Sequence, residues 1–343
     1  MNAPVPAAGA ARAMALGCVV ALALALPWLL RAFGLDFYLS MASRIVVYAI
    51  AATALNLLLG YAGMVSLGQA AYFGLGAYVS GVLLSEGVQG AGTHLLAVVA
   101  LCALAALVIG AISLRTSGVY FIMITLAFAQ MLFYLANSIK AYGGDEGLTV
   151  RTRVLIGPLG PLGLNLRDAE TFYFVALAVL AATLWALARL SRSRLGQAVQ
   201  ALRDDEVRAQ ALGLPTFAIK LLVFVVAGVV AGVAGALSVN LQGYVSPNTL
   251  HWTQSGTLLV MVILGGAGSL WGGVLGAAAL LLLQEGLGAV SEHGEFWTGW
   301  VLLAVVLFAR RGLAGALADL LAGVRVGAAT RFGRAAKPPP RPT

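Results

Sequence analysis

The chain has 343 residues, of which 61% are hydrophobic and 10% are charged, and its formal net charge is +8. Soluble domains are about 45–50% apolar and about 25% charged, so this composition excludes both a water-soluble domain and a disordered chain. About 20 apolar residues cross a bilayer as a helix, and the length therefore accommodates roughly ten spans. Cys18 and Cys102 lie in apolar runs without metal-ligand spacing and indicate neither a disulfide framework nor a metal site.

Successive apolar runs predict an all-α, polytopic transmembrane bundle of about ten spans. The runs occupy residues 14–33, 43–60, 64–84, 93–113, 117–138, 171–190, 219–240, 255–268, 270–284 and 296–309. The predicted domains are a cytoplasmic N-terminus (1–13), a transmembrane domain (14–309) with an external loop (139–170) and a cytoplasmic loop (191–218), and a basic, proline-rich cytoplasmic tail (310–343). A cut after the fifth run leaves five helices on either side, which permits a 5+5 inverted repeat.

The distribution of lysine and arginine sets the expected orientation, because these residues stay on the cytoplasmic side. With the N-terminus inside, fifteen of the 21 basic residues lie on the cytoplasmic side and most acidic residues lie outside. Both termini are therefore predicted to be cytoplasmic. Membrane topology accounts for the positive net charge, so no nucleic-acid partner is expected, and the basic tail is predicted to be disordered and attracted to anionic lipid.

Two regions among the runs allow alternatives. The run 14–33 has features of a secretory signal, but it exceeds the roughly 7 to 15 residues of a signal h-region, and retention as a helix is favoured. Residues 255–284 are interrupted by glycines between Gly265 and Gly273, and form either two crossings or a re-entrant hairpin from the outer face. A single helix over this stretch is rejected because it would place the basic tail outside.

The sequence lacks the motifs of the common enzymatic sites. None of its three lysines stands in a Gly-Lys-Ser/Thr phosphate-binding loop, so ATP hydrolysis by that route is excluded. His94, His251 and His293 are too far apart for a helical zinc pair, and each is interpreted as a loop or interface residue. No catalytic residue, metal or cofactor is therefore expected. The acidic residues fall in loops or at span edges, which disfavours proton coupling and leaves sodium coupling open.

The third run contains a glycine-rich stretch, Gly63 to Tyr78, with the candidate pathway residues Ser66, Gln69 and Tyr72. A continuous helix would place Ser66 and Gln69 one turn apart on one face. Each glycine costs about 1 kcal/mol relative to alanine in a water-exposed helix, so close packing or a broken helix must compensate. Two interpretations stay open: a pore lining, or helix packing with serine and glutamine as interhelical hydrogen-bonding groups.

Two further spans carry features of the same kind. The fifth run offers Ser117, Thr125 and Gln130, of which Thr125 is the weaker candidate because its hydroxyl can bond to its own helix backbone. The seventh run has Gly228 and Gly232 in GxxxG spacing. That spacing is typical of close helix packing.

The cytoplasmic loop 191–218 contains the signals of a short helix. Asp204 or Asp205 can cap a helix whose first turn carries Glu206, and Gly213 with the proline after it ends that helix. The pattern predicts about two turns lying parallel to the membrane.

Asp204 and Arg208 are spaced for an i,i+4 ion pair on this short helix. The helix is either an ordinary solvated turn or a contact through which a permease receives force from a separate ATPase. Both interpretations fit the sequence of the loop.

Together these motifs resemble the M-type permease subunits of bacterial branched-chain amino acid ABC transporters, from about residue 41 to residue 309. The stretches that carry the resemblance are Gly63–Tyr78, Ser117–Gln130, Gly143–Leu148, Arg203–Gly213 and Gly265–Gly276. The resemblance implies inward transport of leucine, isoleucine and valine by alternating access in the bacterial inner membrane. Closely related permeases carry urea or short amides.

The resemblance also implies partners and site residues. The partners are a second, H-type permease, two cytoplasmic ATPases and an external solute-binding protein, all assembled around the lipid bilayer. The implied contacts with the ATPase lie in a degenerate form of the coupling motif, at Asp204, Asp205, Glu206, Arg208, Ala209 and Gly213. The pathway for a zwitterion with an apolar tail is assigned to Ser66, Gln69, Tyr72, Thr125 and Gln130.

Three other classes of membrane protein are alternatives to an ABC permease. A sodium-coupled secondary transporter also uses broken, glycine-rich helices. A membrane-embedded enzyme is disfavoured because the spans lack a paired acid and base or a set of metal ligands. A passive channel would conduct without ATP or an ion gradient.

Overall fold

The computed structural model describes residues 21, 23–32, 34, 36–156, 164–290, 294–308 and 312–315. Its helices are α1 (Ala23–Ala32), α2 (Asp36–Asn56), α3 (Gln69–Ser85), α4 (Ala91–Ser113), α5 (Val119–Ser138), α6 (Ala169–Arg192), α7 (Arg194–Asp204), α8 (Glu206–Ala211), α9 (Thr216–Gln242), α10 (Trp252–Gly265), α11 (Gly272–Val290) and α12 (Gly294–Phe308). An apolar helix lies in each of the ten predicted runs, which confirms the all-α, polytopic prediction. The predicted N-terminus, Cys18, His293 and the tail from residue 316 onward lie outside the described residues.

Helix length varies among these apolar segments. Within the described residues, five helices are long and apolar enough to cross a bilayer: Phe37–Tyr61, which is α2 with the turn that follows it, and α4, α5, α6 and α9. The apolar helices α1, α10 and α11 are shorter. The count of ten crossings and the inverted repeat therefore stay predictions.

Helix α9 lies at the centre of the bundle, in contact with α2, α3 and α4. Its glycines permit close approach, because a Cβ atom at Gly235 would overlap the backbone of Phe73, and one at Gly76 of α3 would overlap the backbone of Gly232. A Cβ atom at Gly228 would stand 2.9 Å from the Ala106 Cβ and 3.3 Å from the Tyr72 ring, a tight contact with side chains. The GxxxG prediction of close packing is confirmed, and small residues bring the α3, α4 and α9 backbones together.

The predicted external loop is folded against the end of α9. Two short antiparallel ladders form there, β1 (Leu148–Thr149) with β4 (Tyr244–Val245), and β2 (Leu155–Ile156) with β3 (Leu164–Asn165). Arg153 donates hydrogen bonds to the carbonyl oxygens of Val150 and Thr152, and burial lowers its pKa, with a further contribution from the charge of Arg167. We call the end of the bundle that carries β1 and β4 the β end, and the opposite end, which carries α7 and α8, the α8 end.

The α8 end has one helix that was expected and one that was not. Helix α8 matches the predicted two turns, and Asp205 is its cap, with Oδ1 accepting the Arg208 N–H at 3.0 Å. Helix α7 was not predicted, although Leu195, Val199 and Leu202 have the i, i+4, i+7 spacing of an amphipathic helix.

The predicted ion pair between Asp204 and Arg208 is wrong. Asp204 belongs to α7 and lies 3.4 Å from Arg203, whereas Arg208 lies 3.5 Å from Asp205. The chain is extended at Asp205, with φ of −160°, so α7 and α8 are separate helices and the i,i+4 geometry does not span their junction.

The turn between α10 and α11 lies at the α8 end. Asn56 holds it with two hydrogen bonds, from its Nδ2 to the Ser269 carbonyl at 2.7 Å and from the Gly268 N–H to its Oδ1 at 2.9 Å. Helix α10 follows β4 and the 3-10 turn Pro247–Leu250, and its Ser255 lies beside Ala70 at the start of α3, inside the bundle. The stretch 255–284 therefore folds back at the Asn56-held turn, and two crossings and a re-entrant hairpin both stay predictions.

Candidate functional site

The third predicted span is not one continuous helix, because its first residues are non-helical. After α2 the chain forms a π-helical turn, Leu57–Tyr61, and residues 62–68 are then non-helical, a segment we call the break. Because α3 begins only at Gln69, the expectation that Ser66 and Gln69 share one helical face is wrong. The broken-helix alternative, raised by the glycine content, is the one that the structure adopts.

Local chemistry accounts for the break. Gly63 has φ of +69°, a left-handed conformation that glycine adopts without steric cost. The Ser66 hydroxyl accepts the Gly68 N–H at 3.2 Å, a local bond that competes with helix formation. A π-helical turn directly before such a segment is a feature frequently found at functional sites.

The N-terminus of α3 is buried inside the bundle. Gln69 and Ala70 are fully buried, and the Ala70 N–H donates to the Ser255 hydroxyl of α10 at 2.7 Å. The positive end of the α3 dipole therefore lies in an interior, low-dielectric position. Sequence reasoning missed Ser255, and its signal, one serine in an apolar run, was too weak to single it out.

Gln69 and Tyr72 face α9 and each keeps a polar atom without a partner among the described residues. The Gln69 Nε2 donates to the Ala227 carbonyl at 3.0 Å, while its Oε1 has no hydrogen bond. The Tyr72 hydroxyl is also buried without one, and its ring packs edge-on against Phe224. Buried polar atoms nearly always have a hydrogen-bond partner. Two buried atoms without one, on residues one helical turn apart, therefore mark a candidate site for a polar solute.

Thr125 joins this site, whereas Gln130 lies apart from it. The Thr125 hydroxyl donates to the Ile122 carbonyl at 3.0 Å, as expected, and its backbone borders Gly68 in the break. Gln130 lies about 7.5 Å further along α5, where its Nε2 is 3.5 Å from the His251 Nε2. The structure thus brings together Ser66, Gln69, Thr125 and the unpredicted Ser255, with Tyr72 one turn away.

Neither described histidine is part of a metal site. His94 is buried between α3 and α4, where its ring nitrogens lie 3.0 Å from the Ser80 hydroxyl and 2.8 Å from the Val88 carbonyl oxygen. His251 caps α10. In the described ranges, no group of three or more His, Cys, Asp or Glu residues could hold a metal ion.

A cleft of about 480 Å³ connects the break with the α7–α8 junction. Its walls include Ala62–Val65 from the break, Ser117 from the turn before α5, and Arg203–Glu206 with Lys220. The first residues of the break and the predicted coupling loop therefore adjoin at the α8 end, whereas the predicted pathway residues do not line this cleft.

Helix α8 is anchored on one side and exposed on the other. Ala209 is buried, and Glu206 forms an ion pair with Lys220 of α9 at 2.5 Å. Gly213, with φ of +79°, ends the helix as predicted. Val207 and Leu212 are 76% and 75% exposed, and sequence reasoning missed both.

The sequence is similar to those of known permease proteins. Residues 37–310 match the family model "Branched-chain amino acid transport system / permease component". The high-affinity branched-chain amino acid permease protein LivM of Salmonella typhimurium is 29% identical over 292 residues, which cover 80% of this chain and 69% of LivM. LivM of Escherichia coli is 28% identical over the same shares. The autoinducer 2 import permease LsrC of Photorhabdus laumondii is 29% identical over 43% of this chain and 45% of LsrC, and no solved structure matches.

Proposed function

Since this chain belongs to the family of permease components of branched-chain amino acid transport systems, we propose that it imports leucine, isoleucine and valine as a subunit of an ATP-binding-cassette transporter. It is a polytopic membrane permease, and its relatives are transport subunits. The observation that carries the proposal is the cleft at the α8 end, because the break that leads into α3, with its unpartnered Gln69 and Tyr72, borders the junction before a short, exposed helix.

The chemistry at the start of α3 suits a zwitterion with an apolar tail. The Gln69 Oε1 is an acceptor for an ammonium group. The positive end of α3 attracts a carboxylate, and the Ser255 hydroxyl, which accepts from Ala70, still has its own proton to donate. The surrounding buried residues, such as Phe224 and Leu258, are apolar and favour a branched aliphatic side chain.

Alternating access would arise from movement around the break. Residues 62–68 make no regular helix, so small changes of their backbone angles can move α3 relative to α2. In this structure Gln69 is fully buried, and opening toward either end of the bundle requires such a movement.

Energy would come from ATP hydrolysed on partner subunits. Helix α8 presents Val207 and Leu212 to a cytoplasmic ATPase, while Ala209 and the Glu206–Lys220 pair tie it to the bundle. The full importer would contain two ATPases, a second permease of the H type and a solute-binding protein docked at the β end. The α8 end would then face the cytoplasm, in agreement with the distribution of basic residues.

Reconstitution tests this proposal directly. The chain is co-expressed with its candidate second permease and ATPases, and the purified complex is placed in liposomes with the solute-binding protein. We expect leucine uptake that requires ATP and is lost when any partner is omitted. Sodium-driven uptake by the isolated chain would contradict the proposal and favour a secondary transporter. A binding protein that takes urea or short amides and ignores leucine would change the substrate and leave the ATP-dependent mechanism in place.

Replacing Gln69 by methionine tests the proposed substrate contact. We expect leucine uptake per assembled complex to fall about tenfold, because a hydrogen bond to a charged group contributes about 1.5–3 kcal/mol. The matched control is Gln254→Met, which removes the 3.1 Å bond from the Gln254 Nε2 to the Tyr48 hydroxyl and should leave uptake per complex unchanged. Equal losses in the two variants would assign Gln69 to helix packing alone.

A further inference from the structure

Arg203 reaches from the end of α7 into the break. Its Nη1 donates a hydrogen bond to the Gly60 carbonyl at 2.8 Å. Its aliphatic stem lies over Gly63, where a Cβ atom would stand 2.7 Å from the Arg203 Cγ. One side chain therefore contacts both the last turn before the break and the first residues within it.

The Gly60 carbonyl is suited to receive a guanidinium group. It lies in the π-helical turn that ends the α2 segment, where carbonyl groups run out of intrahelical partners and the helix dipole is negative. Gly60 also packs directly on Gly268, in the turn that Asn56 holds. Arg203 is therefore bonded to a terminus that packs directly on the α10–α11 turn.

Other polar contacts of the α7–α8 segment go elsewhere. Glu206 pairs with Lys220, which belongs to α9, and Asp205 and Arg208 bond to each other. In the part of the chain that the structure describes, no second side-chain hydrogen bond joins α7 or α8 to residues 57–68. Arg203 stands two residues before Asp205, the cap of α8, and is therefore the side chain that joins the α7–α8 junction to the break.

We propose that Arg203 is the positioning residue that transmits movement of α8 to the break and so couples ATP hydrolysis to opening of the pathway. This inference rests on the proposed function. Arg203 is not among the residues that the resemblance implied as contacts with the ATPase. Its proposed role also differs from theirs, because Arg203 acts on the break whereas Val207 and Leu212 face the ATPase.

The test compares Arg203→Met, Arg203→Lys and Arg194→Ala in the complete transporter in liposomes. Methionine keeps an apolar stem over Gly63 and removes the donors, whereas lysine keeps the charge with a less extensive donor group. Arg194 is the matched control because it is an exposed arginine on the same helix. The measured quantity is leucine transported per ATP hydrolysed.

We expect Arg203→Met to keep an ATPase rate within about twofold of the unmodified complex and to lower leucine per ATP about tenfold, within the usual range of coupling between sites. Arg203→Lys should lower the ratio by less than Arg203→Met does, because lysine keeps the charge with fewer donors, and Arg194→Ala should not change it. An unchanged ratio in both Arg203 variants overturns the inference, as does a parallel loss of hydrolysis and transport.

Further readouts distinguish a failure of the Arg203 inference from misassembly of the complex and from a failure of the proposed function. If the methionine variant does not assemble, the lysine variant decides, because a normal ratio there excludes the proposed role. If the unmodified complex itself fails to link ATP hydrolysis to leucine uptake, the proposed function is wrong. If the unmodified complex transports and only the Arg203 prediction fails, the proposed function stands without this coupling residue.

Discussion

Replacing Gly235 by valine is expected to abolish the folded protein. Gly235 lies where α9 crosses α3, and a Cβ atom there would overlap the Phe73 carbonyl and stand 3.0 Å from the Ala77 nitrogen. Both obstacles are backbone atoms of a helix, so no side-chain rotation relieves them and the two helices must separate. Overpacking of a core costs about 1–3 kcal/mol and occasionally more, and we expect the upper end or beyond. The measurements are the yield of monodisperse protein in detergent and its unfolding temperature.

Gly286→Val is the matched control for this prediction. Gly286 lies on α11 and has no heavy atom within 4 Å of its would-be Cβ. Valine is a better helix former than glycine by a few tenths of a kcal/mol, so the control should keep the yield and the unfolding temperature. Similar losses in both variants would show that the β-branched side chain, and not the helix crossing, causes the defect.

The second large effect is expected at the exposed surface of α8. Val207→Asp should prevent stable binding of the ATPase and abolish leucine uptake while the permease stays folded. Val207 is an exposed apolar residue on a charged helix, and an aspartate buried there without a partner in an interface would cost on the order of several kcal/mol. Aspartate in the first turn interacts favourably with the helix dipole, so α8 itself should remain intact. Co-purification with the ATPase measures the effect.

Leu195→Asp provides the comparison, because Leu195 occupies the equivalent position in the first turn of α7 and is also exposed. We expect this variant to retain the ATPase. Retention of the ATPase by Val207→Asp would contradict the assignment of α8 as the docking helix. Loss in both variants would extend the docking surface to α7.

The sequence alone determined the features that depend on local composition. Apolar runs predicted the helices because a span needs a continuous apolar stretch, whereas the orientation inferred from the distribution of charge stays a prediction. The short helix α8 followed from Asp205 and Gly213, since capping and termination act within a few residues. Thr125 was also assessed correctly, because its hydroxyl bonds to its own helix.

Features missed at the site have different causes. Helix α7 carried a readable signal in Leu195, Val199 and Leu202, and the polar surroundings obscured it. The break was anticipated only as an alternative, because glycine content indicates that helix continuity is weak without locating the first residue of α3. The candidate pathway residues stay predictions, and the structure separates Gln130, which lies with His251, from Gln69.

The remaining features were decided by tertiary structure. The bond from Arg203 to Gly60 and the bond from Ala70 to Ser255 join segments that are far apart in the chain. Hydropathy and propensity describe each residue with its near neighbours, and no local pattern specifies which distant backbone group a side chain will meet. The packing of α7 on the turn Leu57–Tyr61 sets the first distance, and the packing of α3 against α10 sets the second. The packing of α3 against α9 leaves the Gln69 Oε1 buried without a partner among the described residues.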